Sequence, residues 1–167
     1  IYWFSSDDIV AEYQDTVEIR RDGHNYTIEK ALLRQYFKPT RQDERGLNSY
    51  SILQTDKRII FPYDAAGHLI PIDEMKSSYP GTYAYLEAHY DRLVPKSVSQ
   101  FGVRDVPNAT ADTWYQYGRT QALTAFINTP KLIVGVLSKD PMYVLDKDDI
   151  LIASGGTAGY CAVSKKA

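Results

Sequence analysis

The sequence predicts an α+β fold: a mixed sheet of short strands with about three helices. Two patterns predict it. Short apolar runs of strand length are bounded by turn residues, and three other stretches carry apolar residues at helical spacing. A chain of 167 residues suits one compact domain with at most a small appendage, and at that size a sizeable core is buried without staples.

Ile1–Phe4 is aromatic and apolar and is expected to dock as an arm. Ser5-Ser6-Asp7-Asp8 is a helix-start signal. Thr16–Arg21 alternates as a strand does, Asp22-Gly23 makes a tight turn, and Asn25–Ile28 returns as the second strand of a hairpin. Ile28–Phe37 has helical spacing, with Ile28, Ala31, Leu32 and Tyr36 on one side and Pro39 as the stop. Lys38–Asn48 is polar and predicts a loop. Tyr50–Leu53 and Arg58–Pro62 read as strands around a turn at Thr55-Asp56, with another turn at Asp64–Gly67. Asp73 opens a helical region. Pro80 suits a first helical position, and Tyr79, Tyr83, Leu86, Tyr90 and Leu93 form one amphipathic stripe ending at Pro95.

Lys96–Thr113 is a long irregular segment, a kind that is functional or disordered. Gln121–Asn128 predicts a short helix, and Lys131–Leu137 a buried central strand. Met142–Leu145, Ile150–Ala153 and Tyr160–Val163 predict further strands, the last preceded by a glycine-rich turn at Gly155–Gly159.

The composition, 44% apolar and 24% charged, is that of a globular protein. No apolar run reaches the ~20 residues that span a bilayer. The one cysteine, Cys161, permits no disulfide within the chain and fits a reducing cytoplasm. The chain opens on Ile1 and reads as a fragment of something longer. A net charge of −2 lacks the basic surplus of a free-standing nucleic-acid binder. Yet acids outnumber bases before Pro95, and bases outnumber acids after it. Tyrosine is abundant, with 14 residues, and serves either partly buried surfaces or strands.

No catalytic or metal-binding residues emerge. There is no phosphate loop, no nucleophile elbow and no Cys/His cluster of zinc spacing. His24, His68 and His89 are scattered, and His89 reads as a packed or half-exposed structural histidine. The acidic pairs Asp7-Asp8 and Asp73-Glu74 suit helix N-termini. Trp114, Tyr115 and Tyr117 stand close to Arg119, a grouping able to stack on bases and clamp phosphate, or equally to plug a core edge.

At these residues the chain resembles the TaqI-like C-terminal specificity domain of adenine-N6 DNA methyltransferases and type IIG restriction–modification enzymes. The matching pieces keep the family order: Ala31–Lys38 (ALLRQYFK), Arg58–Tyr63 (RIIFPY), Tyr79–Leu93 (YPGTYAYLEAHYDRL), Trp114–Arg119 (WYQYGR), Thr129–Ser138 (TPKLIVGVLS) and Gly155–Tyr160 (GGTAGY). The resemblance implies an arm and hairpin at residues 1–27 and a specificity domain at 28–167, inside a longer protein. It further implies an upstream methyltransferase domain that binds S-adenosylmethionine and carries an Asn-Pro-Pro-Tyr/Phe motif facing the flipped adenine, a motif absent from this sequence. The fragment itself is then expected to be non-catalytic and without cofactor, and to hold double-stranded DNA in the cytoplasm for methylation, with or without cleavage, by the parent. Base-reading residues do not carry over within such a family.

Physical chemistry supplies the candidates. Bases are read by Arg, Lys, Asn and Gln, and phosphates are held by cations. The candidate DNA contacts are Lys38, Arg41, Gln42 and Arg45 in one polar loop, and Lys96, Gln100, Arg104 and Asn108 in the other. Trp114, Tyr115, Tyr117, Arg119 and Lys131 complete the set. The alternative is a protein-interaction module whose tyrosine-rich face docks another subunit without DNA.

Overall fold

The computed structural model describes residues 1–37, 51–52, 55–118, 129–135, 143–152 and 160–163. Along the chain these form β1 (Trp3–Phe4), β2 (Ile9–Glu12), β3 (Thr16–Arg21), β4 (His24–Glu29), β5 (Leu33–Phe37), β6 (Ser51–Ile52) and β7 (Arg58–Ile60). Helices α1 (Ile72–Ser78), α2 (Pro80–Ala88) and α3 (Tyr90–Leu93) follow, then β8 (Lys131–Gly135), β9 (Tyr143–Asp146), β10 (Leu151–Ile152) and β11 (Tyr160–Val163). This is an α+β fold of short strands with three helices among the described residues.

The chain divides into two compact units. One is Ile1–Leu33 with Ile59–Gln121, and the other is Arg34–Arg58 with Ala122–Ala167. The N-terminal hairpin belongs to the core of the first unit.

In the first unit β2, β3 and β4 form an antiparallel sheet in that order. Asp22 and Gly23 both have positive φ, 51° and 81°, as the expected two-residue hairpin requires. Alternation along β3 buries Val17 and Ile19, which meet Ile28, Phe4, Ile60, Met75, Tyr85 and Leu86 in one cluster. Each such side chain contributes roughly 1.5–3 kcal/mol by leaving water.

Glu29, at the end of β4, anchors α2. Its carboxylate accepts the Gly81 and Thr82 backbone N–H groups at 2.8 and 2.7 Å and the Thr82 hydroxyl at 2.5 Å. Those N–H groups lie in the helix's first turn, where they lack intrahelical partners and where the dipole favours an anion. Pro80 sits at the start of α2, as expected.

The expected single amphipathic helix from Tyr79 to Leu93 is broken at His89. Its Nδ1–H donates to the Tyr85 carbonyl at 2.7 Å, the acceptor a continuous helix would use for the His89 backbone. The backbone N–H turns instead to Leu86 O at 3.1 Å, and α3 starts afresh. His89 is buried against the Tyr85 ring, as the sequence suggested.

Residues 28–37 are not the expected helix. A 3-10 turn at Lys30–Leu32 leads into β5. In the second unit β10 pairs in parallel with β5, Leu151 opposite Tyr36, and the Tyr36 N–H reaches Lys57 O at 2.9 Å. These long-range partners outweigh a local helical spacing. β6 and β7 likewise form no hairpin: β6 pairs in parallel with β9, while Ile60 of β7 donates to Tyr2 O beside β1.

The larger sheet of the second unit runs β11-β8-β9-β6, with β8 central. The expected buried central strand is corrected in part, since Leu132 of β8 is exposed between buried Lys131 and Ile133. Phe37, Ile133, Val144 and Ile150 form the core. Lys131 lies opposite Asp146 in the β8–β9 register, and the two make a buried ion pair. The Asp146 carboxylate also accepts the Asp148 and Ile150 N–H groups, each at 2.9 Å. The expected Gln121–Asn128 helix and Gly155–Gly159 turn lie outside the described residues.

Candidate nucleic-acid interface

The irregular segment after α3 is ordered by its own hydrogen bonds, all within the first unit. Pro95 prevents α3 from continuing. Pro95 and Arg104 then form a parallel bridge, with Lys96 N–H on Arg104 O at 2.9 Å and Val103 N–H on Val94 O at 3.0 Å. Between these roots, Val98 and Ser99 N–H groups reach Pro95 O, and Gly102 N–H reaches Ser99 O at 2.8 Å. Gly102 is required by close approach, because a Cβ there would lie 2.3 Å from the Pro95 carbonyl oxygen. The Ser97 hydroxyl, 3.1 Å from Val106 O and 3.3 Å from Ala109 O, ties the loop to the next turn.

Arg104 is the main brace. Its guanidinium donates to three backbone carbonyls: Leu93, Gln116 at 2.9 Å and Trp114 at 2.6 Å. It also lies over the Tyr2 ring, 5.5 Å from its centroid. Around it the WYQY segment is structural. Trp114 and Tyr115 are buried, with Trp114 edge-on to Tyr90 at 4.9 Å and the Tyr115 hydroxyl donating to Ile70 O at 2.5 Å. Tyr117 packs on Tyr2 and Tyr63, each ring 5.1 Å away, and its hydroxyl donates to Ile60 O. The Tyr117 N–H donates to the Tyr63 hydroxyl at 2.6 Å. Burial pushes the Tyr63 phenol up to about 12, although the Tyr117 N–H and the Arg104 charge both pull the other way. The same desolvation raises Tyr2 and Tyr115 further.

The sequence candidates thus separate by position. Lys96, Gln100 and Asn108 are exposed on this one braced segment. Asn108 adopts φ 63°, a left-handed conformation that asparagine tolerates. Arg104, Trp114, Tyr115 and Tyr117 form the frame beneath, where their polar atoms serve backbone groups. Lys131 is buried on Asp146 in the other unit. Lys38, Arg41, Gln42, Arg45 and Arg119 lie outside the described residues.

Sequence reasoning missed Phe101, exposed at 80% between the loop's roots, and Val103, exposed at 56% at one root. A single aromatic residue inside a stretch with few apolar residues was the available signal. By comparison, the cleft of about 490 Å³ lined by Leu69, Ile72, Lys76 and Tyr115 also holds Asp73 and Asp112, a poor match for phosphate.

Among the described residues no group of His, Cys, Asp and Glu is arranged to hold a metal ion, and no helix is long and apolar enough to cross a membrane. No protein-family model matches the chain. It is 34% identical, over 146 residues and 86% of its length, to the Escherichia coli protein described as type II restriction enzyme and methyltransferase RM.Eco57I. The chain spans 14% of that protein's length. The similarity relates the chain to restriction–modification enzymes.

Proposed function

From this kinship with a restriction–modification enzyme, we propose that the chain is a DNA target-recognition module, positioning duplex DNA in the cytoplasm for a methyltransferase domain of the same polypeptide. The observation that carries the reading is the braced segment after α3. It presents Lys96, Gln100 and Asn108 to solvent on a frame fixed by Arg104. Lysine supplies phosphate attraction, and amide side chains supply the paired donor and acceptor that read base edges. The chemistry of the parent is adenine-N6 methylation with S-adenosylmethionine held in the partner domain, with or without cleavage. This chain's own share is binding and orientation.

The test is a titration of duplex DNA at several salt concentrations. Affinity falls as salt rises through counterion release, and Lys96→Ala lowers the salt slope by about one. Absence of binding at low salt defeats the reading. A second reading, docking of another protein without DNA, draws on Val10 and Tyr13, exposed on and just after the edge strand β2. Salt-insensitive association with a protein, and none with DNA, favours it.

A further inference from the structure

We propose that Phe101 is a wedge that inserts between neighbouring base pairs of duplex DNA, with Lys96 on the adjacent phosphates. This rests on the DNA-recognition reading and assigns a mode of contact within it.

Phe101 is held out in water, while Phe4, Phe37 and Phe61 are all buried. The exposure is built in and is not fraying. The Phe101 N–H donates to the Ser99 hydroxyl at 3.2 Å, the next residue is a glycine that must be one, and the loop's two roots are bridged. The ring therefore projects from a fixed base. Its surroundings carry positive charge. From Arg92 to Arg104 the sequence has three cations and no Asp or Glu, between the bordering Asp91 and Asp105, in a chain of net charge −2. Arg92 is paired with Asp22. Arg104 bonds neutral carbonyls, and among the described residues no carboxylate neutralises it. From Lys96 to Asp105 the two cations exceed the one carboxylate, Asp105, so the loop stays net positive, complementary to phosphate.

A polyanion with apolar gaps between stacked planes fits one projecting ring between cations. Apolar side chains inserted at a base step unstack it and bend the duplex. A stable protein interface buries over ~1,200 Å², far more than Phe101 and Val103 present.

The experiment compares the whole chain with Phe101→Ala and Phe101→Trp on a mixed-sequence duplex. Affinity is read by anisotropy at low salt. Duplex unwinding is read as the change in linking number when a closed plasmid is relaxed by topoisomerase in the protein's presence. Circular dichroism confirms that the variants are folded. The expected result is that the native chain unwinds the plasmid and Phe101→Trp retains this. Phe101→Ala binds about tenfold more weakly, the scale of one base–aromatic stack, and does not unwind. Native and Phe101→Ala chains that bind equally in a salt-dependent manner, without unwinding, overturn the wedge and leave the recognition reading standing. No DNA binding by the native chain overturns both. Loss of a protein contact in Phe101→Ala, with DNA binding unchanged, assigns the ring to a protein partner and overturns the wedge.

Discussion

Arg104 makes the same guanidinium fork that reads guanine available to three carbonyls of its own chain. Nothing in the residue's identity distinguishes those uses. What decides is where Leu93, Trp114 and Gln116 carbonyls converge, and that depends on the fold around Tyr2. Hydrogen bonds from a charged donor contribute about 1.5–3 kcal/mol each, and leaving the carbonyls unserved adds to the loss. Glutamine at this position offers fewer donors and a shorter reach. Arg104→Gln is expected to lower unfolding free energy by roughly 2–4 kcal/mol, read by denaturant titration, with partial exposure keeping it from the higher end. A change below about 0.5 kcal/mol would mean that water replaces the guanidinium without loss. Lys131 teaches the same lesson, since a lysine in an apolar strand invites phosphate until Asp146 is found opposite it.

At the scale of elements, local signals held where local chemistry decides. Asp22-Gly23 made its hairpin turn, and Pro80 opened α2. Signals failed where a distant partner decides. Leu33–Phe37 carries helical spacing, yet β10 claims it as a strand. The stripe from Tyr79 to Leu93 is continuous in sequence, but the His89 side chain takes the carbonyl on which continuity depends.

The junction of α2 with β4 gives a prediction at this scale. Alanine at Gly81 would gain up to about 1 kcal/mol of helix propensity. Its Cβ, however, would sit 2.6 Å from Thr27 O and 3.0 Å from Glu29 Oε1, the second of which accepts the Gly81 N–H. Overpacking costs of ~1–3 kcal/mol outweigh the gain, so Gly81→Ala should lower the melting temperature. A raised melting temperature would show that α2 slides freely on β4.

Across the whole molecule the tyrosines act together. Tyr2, Tyr63, Tyr85 and Tyr115 of the first unit, and Tyr36 of the second, all have phenols raised above 10.0 by burial. Below pH 10 they are protonated in both folded and unfolded chains, and their contribution to stability is intact. Above it the unfolded chain releases protons that the folded chain keeps, so stability falls as pH climbs toward the folded values, about 12 for Tyr63. Melting temperature should be level near neutrality and drop from about pH 10 upward, with the last tyrosines ionising only on unfolding. A level melting temperature through pH 12 contradicts this. The α+β class and the relation to restriction–modification enzymes were legible from the chain alone. The separation of frame from exposed face was not, because it rests on which carbonyls and rings meet across the fold.

The loop behind Pro95 has a consequence for how such a protein changes over generations. Its shape is written in backbone bridges, Gly102, Ser97 and Arg104, none of which reports on what solvent sees. Lys96, Gln100, Phe101 and Val103 are spelled onto that shape without helping to hold it. Form and vocabulary are therefore inherited separately. A lineage can rewrite what this surface says, one letter at a time, while each intermediate still folds.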